Sequence, residues 1–216
     1  MENDNNKIHI PDIITREGRI YTQYIPPKRQ IPYVNIILFI TTVITTTLAG
    51  AGLEGVSVFD FLRHPVNSVI KGLPFSVTLI TILLTHEMGH FFAARRYRVD
   101  ASLPYFIPAP FGVGTFGAII KMKSPLESRK SLIDIGAAGP IAGFIVSVAA
   151  ITYGILTSTF VSLENFPEYG IRFQDPLIVK FLQYFILGKI PQGYEMMLNS
   201  VGFAGWLGLL VTMLNL

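Results

Sequence analysis

His86-Glu87-Met88-Gly89-His90 places two imidazoles four residues apart with a carboxylate between them. On an α-helix, residues four apart stand one turn apart on nearly one face. Both rings can therefore reach one ion. Glu87 lies roughly 100° round from His86, beside such an ion rather than on it. There it can take a proton from a water on the metal. Two neutral nitrogen ligands suit Zn²⁺, which in catalytic sites keeps about three protein ligands and an open position for water. Zinc lowers the pKa of that water to about 7 and polarises a carbonyl, which is the chemistry of peptide hydrolysis. The chain has 4 His and no Cys, so disulfides and thiolate metal sites are excluded. His9 sits in a polar tail and His64 in an outer loop, where solvation is the simpler role.

Such a motif arises by chance in soluble helices, where surface His and Glu cost nothing. Here it falls inside an apolar run. Half of the 216 residues are hydrophobic and only 14% are charged, and mean hydropathy is +0.49. A soluble domain carries about 25% charged residues. So few charges cannot cover a globular surface unless lipid covers part of it. A charged or strongly polar group at membrane depth costs roughly 2.5–3.5 kcal/mol on insertion scales, so three of them together imply a purpose. The net charge of +3 is too small to argue for nucleic acid.

Four runs are long enough to cross a hydrocarbon core of about 30 Å. They are Ile31 to Gly52, Pro74 to Ala94, Leu132 to Leu156, and about Met196 to Leu216. The Thr residues of the first can return their hydroxyls to the helix backbone. Pro176 to Leu187 is shorter, carries Lys180 and Gln183, and reads as an interfacial or re-entrant helix. The predicted fold is an α-helical polytopic membrane protein. It has about four transmembrane helices, a short interfacial helix and a small membrane-associated β-strand or hairpin region. Residues 1–30 form a cytoplasmic N-terminal tail and 31–216 the transmembrane core.

The cations orient it. Lys7, Arg16, Arg19, Lys28 and Arg29 in the tail share a side with Arg95, Arg96, Arg98, Lys121, Lys123, Arg129 and Lys130. Only Arg63, Lys71, Arg172, Lys180 and Lys189 lie on the other. The positive-inside rule puts the N-terminus and the loop after the second run in the cytoplasm. With Arg95 at the interface, His90 and His86 lie about 8 and 13 Å inside.

Gly114 to Lys123, GTFGAIIKMK, alternates with a period of two and predicts a strand. Phe116, Ala118, Ile120 and Met122 form one face; Gly117, Ile119, Lys121 and Lys123 form the other. Leu103 to Pro110 is too Pro-rich for a helix and should run extended at the membrane surface. Asp134 should open the third span as a cap or first-turn acid, with a metal role as a minor alternative. Gly136, Gly139 and Gly143, like Gly202, Gly205 and Gly208, read as close helix packing.

Taken in order, HEMGH in an apolar helix, GTFGAIIKMKSP, DIGAAGPIAGF and GWLGLLVTMLNL resemble the site-2 proteases, the intramembrane zinc metalloproteases. PYFIPAP is similar to their bacterial and plastid branch, which includes the plant gravitropism-deficient proteins. The resemblance implies one Zn²⁺ per chain held by His86 and His90, with Glu87 as catalytic acid/base. It also implies cleavage of membrane-anchored protein substrates within or near a transmembrane segment, in regulated intramembrane proteolysis. An exposed strand edge can hold an unwound substrate. The resemblance therefore gives Gly117, Ala118, Ile119 and Ile120 a substrate-binding role. The alternative is a plain edge strand guarded by Lys121 and Lys123. Asn215-Leu216 match the opening of a later family motif, whose Asp supplies the third ligand. Asn215 thus joins the substrate-binding set, and the third ligand is expected beyond Leu216. The chain is expected to be a fragment, inactive by itself. The partners are the lipid bilayer and a membrane-anchored substrate. A non-proteolytic membrane scaffold or chaperone with an incomplete metal site is the competing reading. A transporter would predict paired repeats with broken helices, which are not evident.

Overall fold

The computed structural model describes residues 13–14, 20–21, 31–125, 128–162, 176–189 and 191–214. Contacts divide the chain into two units, Met1–Pro32 and Tyr33–Leu216. In the first, β1 (Ile13–Ile14) pairs antiparallel with β2 (Ile20–Tyr21), a strand pair within what the sequence predicted as a plain tail.

The second unit is a helical bundle that exposes many large apolar side chains. In α1 (Tyr33–Leu53) the buried residues are Thr42, Thr46, Thr47, Gly50 and Ala51. Ile36, Ile37, Ile40 and Ile44 are exposed. Lipid tails are as apolar as isoleucine, so helix contacts select small side chains that let backbones approach. The Thr hydroxyls return to the helix as expected, Thr42 to the Leu38 carbonyl at 2.8 Å and Thr46 to that of Thr42 at 2.7 Å.

A short helix α2 (Val58–Arg63) is started by a capping box between Ser57 and Asp60. It leads into α3 (Pro65–Arg96), 32 residues long with Pro65 in its first turn. The sequence expectation began this span at Pro74. The helix instead runs through Pro74, because tertiary contacts hold the earlier turns. Gly72 lies directly on the Thr47 carbonyl and Ala51 of α1, and Thr46 Oγ1 meets Ser76 Oγ at 2.7 Å. Late α1 therefore meets early α3, and the two helices run antiparallel.

The chain then forms a hairpin of β3 (Tyr105–Pro108) and β4 (Thr115–Ile119). The Pro-rich run is extended as expected over Tyr105–Pro108 and packs against the helices. Phe106 is buried against Phe39, Val43, Leu79 and Leu83, and Asn35 Nδ2 donates to the Leu103 and Pro104 carbonyls at 3.0 and 2.8 Å. The Gly114 carbonyl accepts from Thr45 Oγ1 at 2.6 Å. Thr45 lies twelve residues past Tyr33, about 18 Å along α1. The hairpin thus descends into the bundle, where the Asn35 and Thr45 side chains take up main-chain polar groups that lipid would leave unpaired.

Ser128 caps α4 (Arg129–Thr157), which begins five residues before Asp134; the expected first-turn place for that acid is not observed. A second antiparallel strand pair, β5 (Thr159–Ser162) with β6 (Tyr194–Met197), was not anticipated. The short helix α5 (Leu177–Leu187) falls where expected, packing Val179 on α4 and α6 (Ser200–Leu214). Gly154 lies against Gly202, and a Cβ at Gly205 would meet Ile151 at 2.9 Å. Late α4 thus crosses early α6 through small residues. Among the described residues, three helices, α1, α3 and α4, are long and apolar enough to cross a membrane. The described part of α6 is 15 residues long, about 22 Å.

Candidate metal centre

The HExxH turn lies in the last third of α3, where that helix packs on α4 and α6. Close approach is possible because Gly89 carries no side chain: a Cβ there would sit 2.5 Å from the Ala138 carbonyl oxygen of α4. Around this crossing His86 is 1% exposed and Glu87 4%, while His90 is half-buried.

The helix brings the two rings together as the spacing requires. His86 Nε2 and His90 Nε2 stand 3.1 Å apart, with the ring planes at 69°. Two nitrogens bound at about 2.05 Å in tetrahedral geometry would be separated by about 3.3 Å. The pair therefore has the bite of one zinc ion. His90 Nδ1 lies 2.7 Å from the Ile135 carbonyl oxygen. A carbonyl only accepts, so Nδ1 carries the proton and Nε2 presents its lone pair. Metal-binding histidines are usually oriented through their second nitrogen in this way. The donor set fits Zn²⁺.

α4 and α6 complete the surroundings. A Cβ on Gly139 would fall on the His90 ring itself. A Cβ on Gly143 would meet His86 Nδ1 at 3.0 Å and Thr212 Cγ2 at 2.6 Å. The Ile135 carbonyl and Thr212 were not singled out from sequence, since a backbone oxygen has no residue-type signal and a lone Thr in an apolar helix is commonplace. Asn35, which anchors the hairpin, had the signal of an amide opening an apolar span.

The backbone N–H of Ile120, just past β4, faces the Glu87 carboxyl. The predicted strand therefore reaches the predicted base. Its side chains depart from simple alternation. Phe116 is 65% exposed although Ala118, two residues on, is 6% exposed. Gly117 takes φ +99°, and the register shifts between Phe106 and Pro108. The positive φ turns the backbone, so Phe116 and Ala118 no longer share a face. Ile119 is exposed and Ile120 half-buried, and Met122 forms only an isolated bridge with Ala101.

Asp134 is not part of this centre. It is exposed and accepts a hydrogen bond from Tyr97 Oη, tying the end of α3 to α4. Among the described residues, no three of His, Asp and Glu form a group that could hold a metal. His64 is exposed at the start of α3, at the far end of that helix from the pair. Asn215 and His9 lie outside the described residues.

A bundle of long apolar helices with two imidazoles paired beside a buried carboxylate is the arrangement expected of the HExxH membrane metalloproteins. Residues 74–216 match the profile of Peptidase family M50. The chain is 36% identical over 151 residues to "Probable zinc metalloprotease EGY1, chloroplastic" of Arabidopsis thaliana, covering 68% of this chain and 27% of that protein. The rice (Oryza sativa subsp. japonica) protein of the same name is 35% identical over 151 residues, 68% of this chain and 26% of its own. "Probable zinc metalloprotease EGY2, chloroplastic" of Arabidopsis thaliana is 27% identical over 145 residues, 67% and 26% of the two chains. The chain thus spans about a quarter of the length of these relatives. No solved structure matches it. The chain belongs to peptidase family M50, the site-2 proteases, with a plastid-type resemblance.

Proposed function

We propose that this chain forms the membrane catalytic part of a zinc endopeptidase that hydrolyses membrane-anchored proteins within or near their transmembrane segment. The observation that carries the reading is the 3.1 Å approach of His86 Nε2 and His90 Nε2 beside buried Glu87, in a helix long enough to cross a membrane. His86 and His90 would hold one Zn²⁺, which when bound polarises the scissile carbonyl and acidifies water. Glu87 takes the proton of the attacking water and returns it to the leaving nitrogen. The Ile135 carbonyl keeps His90 in the tautomer that presents Nε2. In this reading the third protein ligand is an Asp following Leu216.

Substrate must first be unwound, because a helix hides its peptide bonds in i to i−4 hydrogen bonds. Gly117, Ala118, Ile119 and Ile120 would hold the unwound segment by main-chain pairing, with Asn215 contributing. The approach of Ile120 to Glu87 supports placing that segment next to the base. The cation-rich side carrying the N-terminus would be cytoplasmic, in a bacterial inner membrane, and cleavage would release a regulator. The relatives' names place those proteins in chloroplasts, another membrane system that the same orientation rule would serve.

The second reading is a non-proteolytic scaffold or chaperone. It is favoured by the lack, among the described residues, of a third His, Asp or Glu placed to hold a metal together with the pair. The Glu87→Gln variant of the full-length protein separates the two. The protease reading expects cleavage of a transmembrane reporter to fall at least 100-fold, with zinc content and expression unchanged. Undiminished turnover would refute it.

A further inference from the structure

Three residues of α4 address the two imidazoles in different ways. Ile135 supplies a carbonyl to His90 Nδ1 at 2.7 Å. One turn later, Gly139 leaves empty the space that the opposite edge of the same ring occupies. The three atoms nearest a Cβ built there are His90 Nε2, Cδ2 and Cε1. One turn later again, Gly143 stands behind His86, with a Cβ contact to Nδ1 at 3.0 Å and to Cβ at 3.2 Å. Gly136 is different, for a Cβ there would meet nothing within 4 Å. Glycine in a helix interior is costly relative to alanine, since it loses more chain entropy on folding. Gly136 has no packing reason to bear that cost; Gly139 has one, and it is the metal-directed edge of His90.

We propose that Gly139 is a positioning residue for the metal ligands. Its missing side chain lets the His90 ring lie flat against α4, so that Nδ1 reaches the Ile135 carbonyl while Nε2 reaches towards His86 Nε2. Any side chain at 139 displaces the ligand nitrogen itself. The Gly139 Cα also borders the Gly89 contact, 3.0 Å from a Cβ built on Gly89, but the three atoms nearest a Cβ on Gly139 itself all belong to the His90 ring and none to the backbone of α3. The proposal rests on the zinc reading for its functional meaning, but the steric claim stands on the ring alone.

The test is a double-mutant cycle on the 216-residue chain in detergent, with metal stripped by chelation. Gly139→Ala should lower Tm when His90 is present. In the His90→Ala background the same substitution should be neutral or raise Tm, since the obstructing ring is gone and alanine is the better helix former. Gly136→Ala should be neutral or raise Tm in both backgrounds. An equal loss of Tm from Gly139→Ala in the two backgrounds would overturn the proposal. A second measurement reads the metal. In zinc competition titrations of the full-length protein, Gly139→Ala should weaken affinity roughly 10- to 100-fold, as lost ligand orientation does, while Gly136→Ala stays within about twofold of the full-length parent. Parental affinity in Gly139→Ala would also overturn it. If the parent takes up no zinc at all, the zinc reading fails, and the stability cycle still decides the role of Gly139.

Discussion

The carbonyl of Ile135 accepts a 2.7 Å hydrogen bond from Nδ1 of His90, a residue 45 positions earlier in the chain. The bond joins α3 to α4 beside the HExxH turn. It fixes the tautomer and the ring orientation together. A carbonyl offers no proton, so the ring nitrogen left to face His86 is the one with a free lone pair. The site is therefore assembled by two helices, although both histidines lie on one.

Metal retention should depend on what completes the donor set. Two imidazoles leave zinc about one protein ligand short of a catalytic site. The purified 216-residue chain should lose its zinc under mild chelation and show no proteolysis, and a chain extended to include the expected Asp should retain about one equivalent. Metal analysis after dialysis decides. Stoichiometric zinc on the 216-residue chain would mean that a residue within it completes the site.

The edge of β4 can be tested through its backbone. Ile119→Pro removes one donor and bends the strand at an exposed position. In the full-length enzyme, cleavage should fall about tenfold or more with zinc content unchanged, and cross-linkers at positions 117–122 should capture substrate. Normal cleavage, or no cross-linking, would leave the strand as the guarded edge of a small hairpin.

Helix approach near the far end of the bundle depends on Gly72, which lies on the Thr47 carbonyl. Gly72→Leu should destabilise the bundle by about 1–3 kcal/mol or more through overpacking. Gly52→Leu, with nothing within 4 Å of its Cβ position, should change stability by less than about 0.5 kcal/mol. Equal effects in detergent unfolding would contradict this packing.

The capping box at α2 makes a pH prediction. Hydrogen bonds from the Ser57 side chain and backbone hold the Asp60 carboxyl below its ordinary 3.8, helped by His64 and Lys71. A carboxyl depressed in the folded state stabilises it above the unfolded pKa, and that contribution is lost as pH falls through the folded value. Ser57→Ala should move the Asp60 titration, followed by carboxyl carbon NMR, upward towards 3.8. An unmoved titration would show that the cap does not hold the charge.

Orientation is open to the cysteine-free chain, since any single introduced thiol is unique. Thiols at Lys28 and Asn67 should label from opposite sides of sealed vesicles, Lys28 from the cytoplasmic side. Labelling of both from one side would refute the assignment.

The metal-directed pair was legible because its geometry is local. A helix places i and i+4 together whatever surrounds it, and an apolar run long enough to cross a membrane is a property of composition. The short helix at Leu177–Leu187 and the strand before α4 were legible for the same reason, through length and period. Other features depended on partners distant in sequence. α3 extends back through Pro74 because α1 holds its early turns, and periodicity of α3 alone does not contain α1. The hairpin descends along α1 because Asn35 and Thr45 satisfy its backbone, contacts made across 68 and 69 positions. Asp134 turned to Tyr97 rather than to a metal because the crossing of α3 and α4 set those two side chains side by side. The glycines of α4 looked alike in sequence, and tertiary structure divided them. Gly136 faces open space and Gly139 lies under His90, because only one face of a helix meets its neighbour.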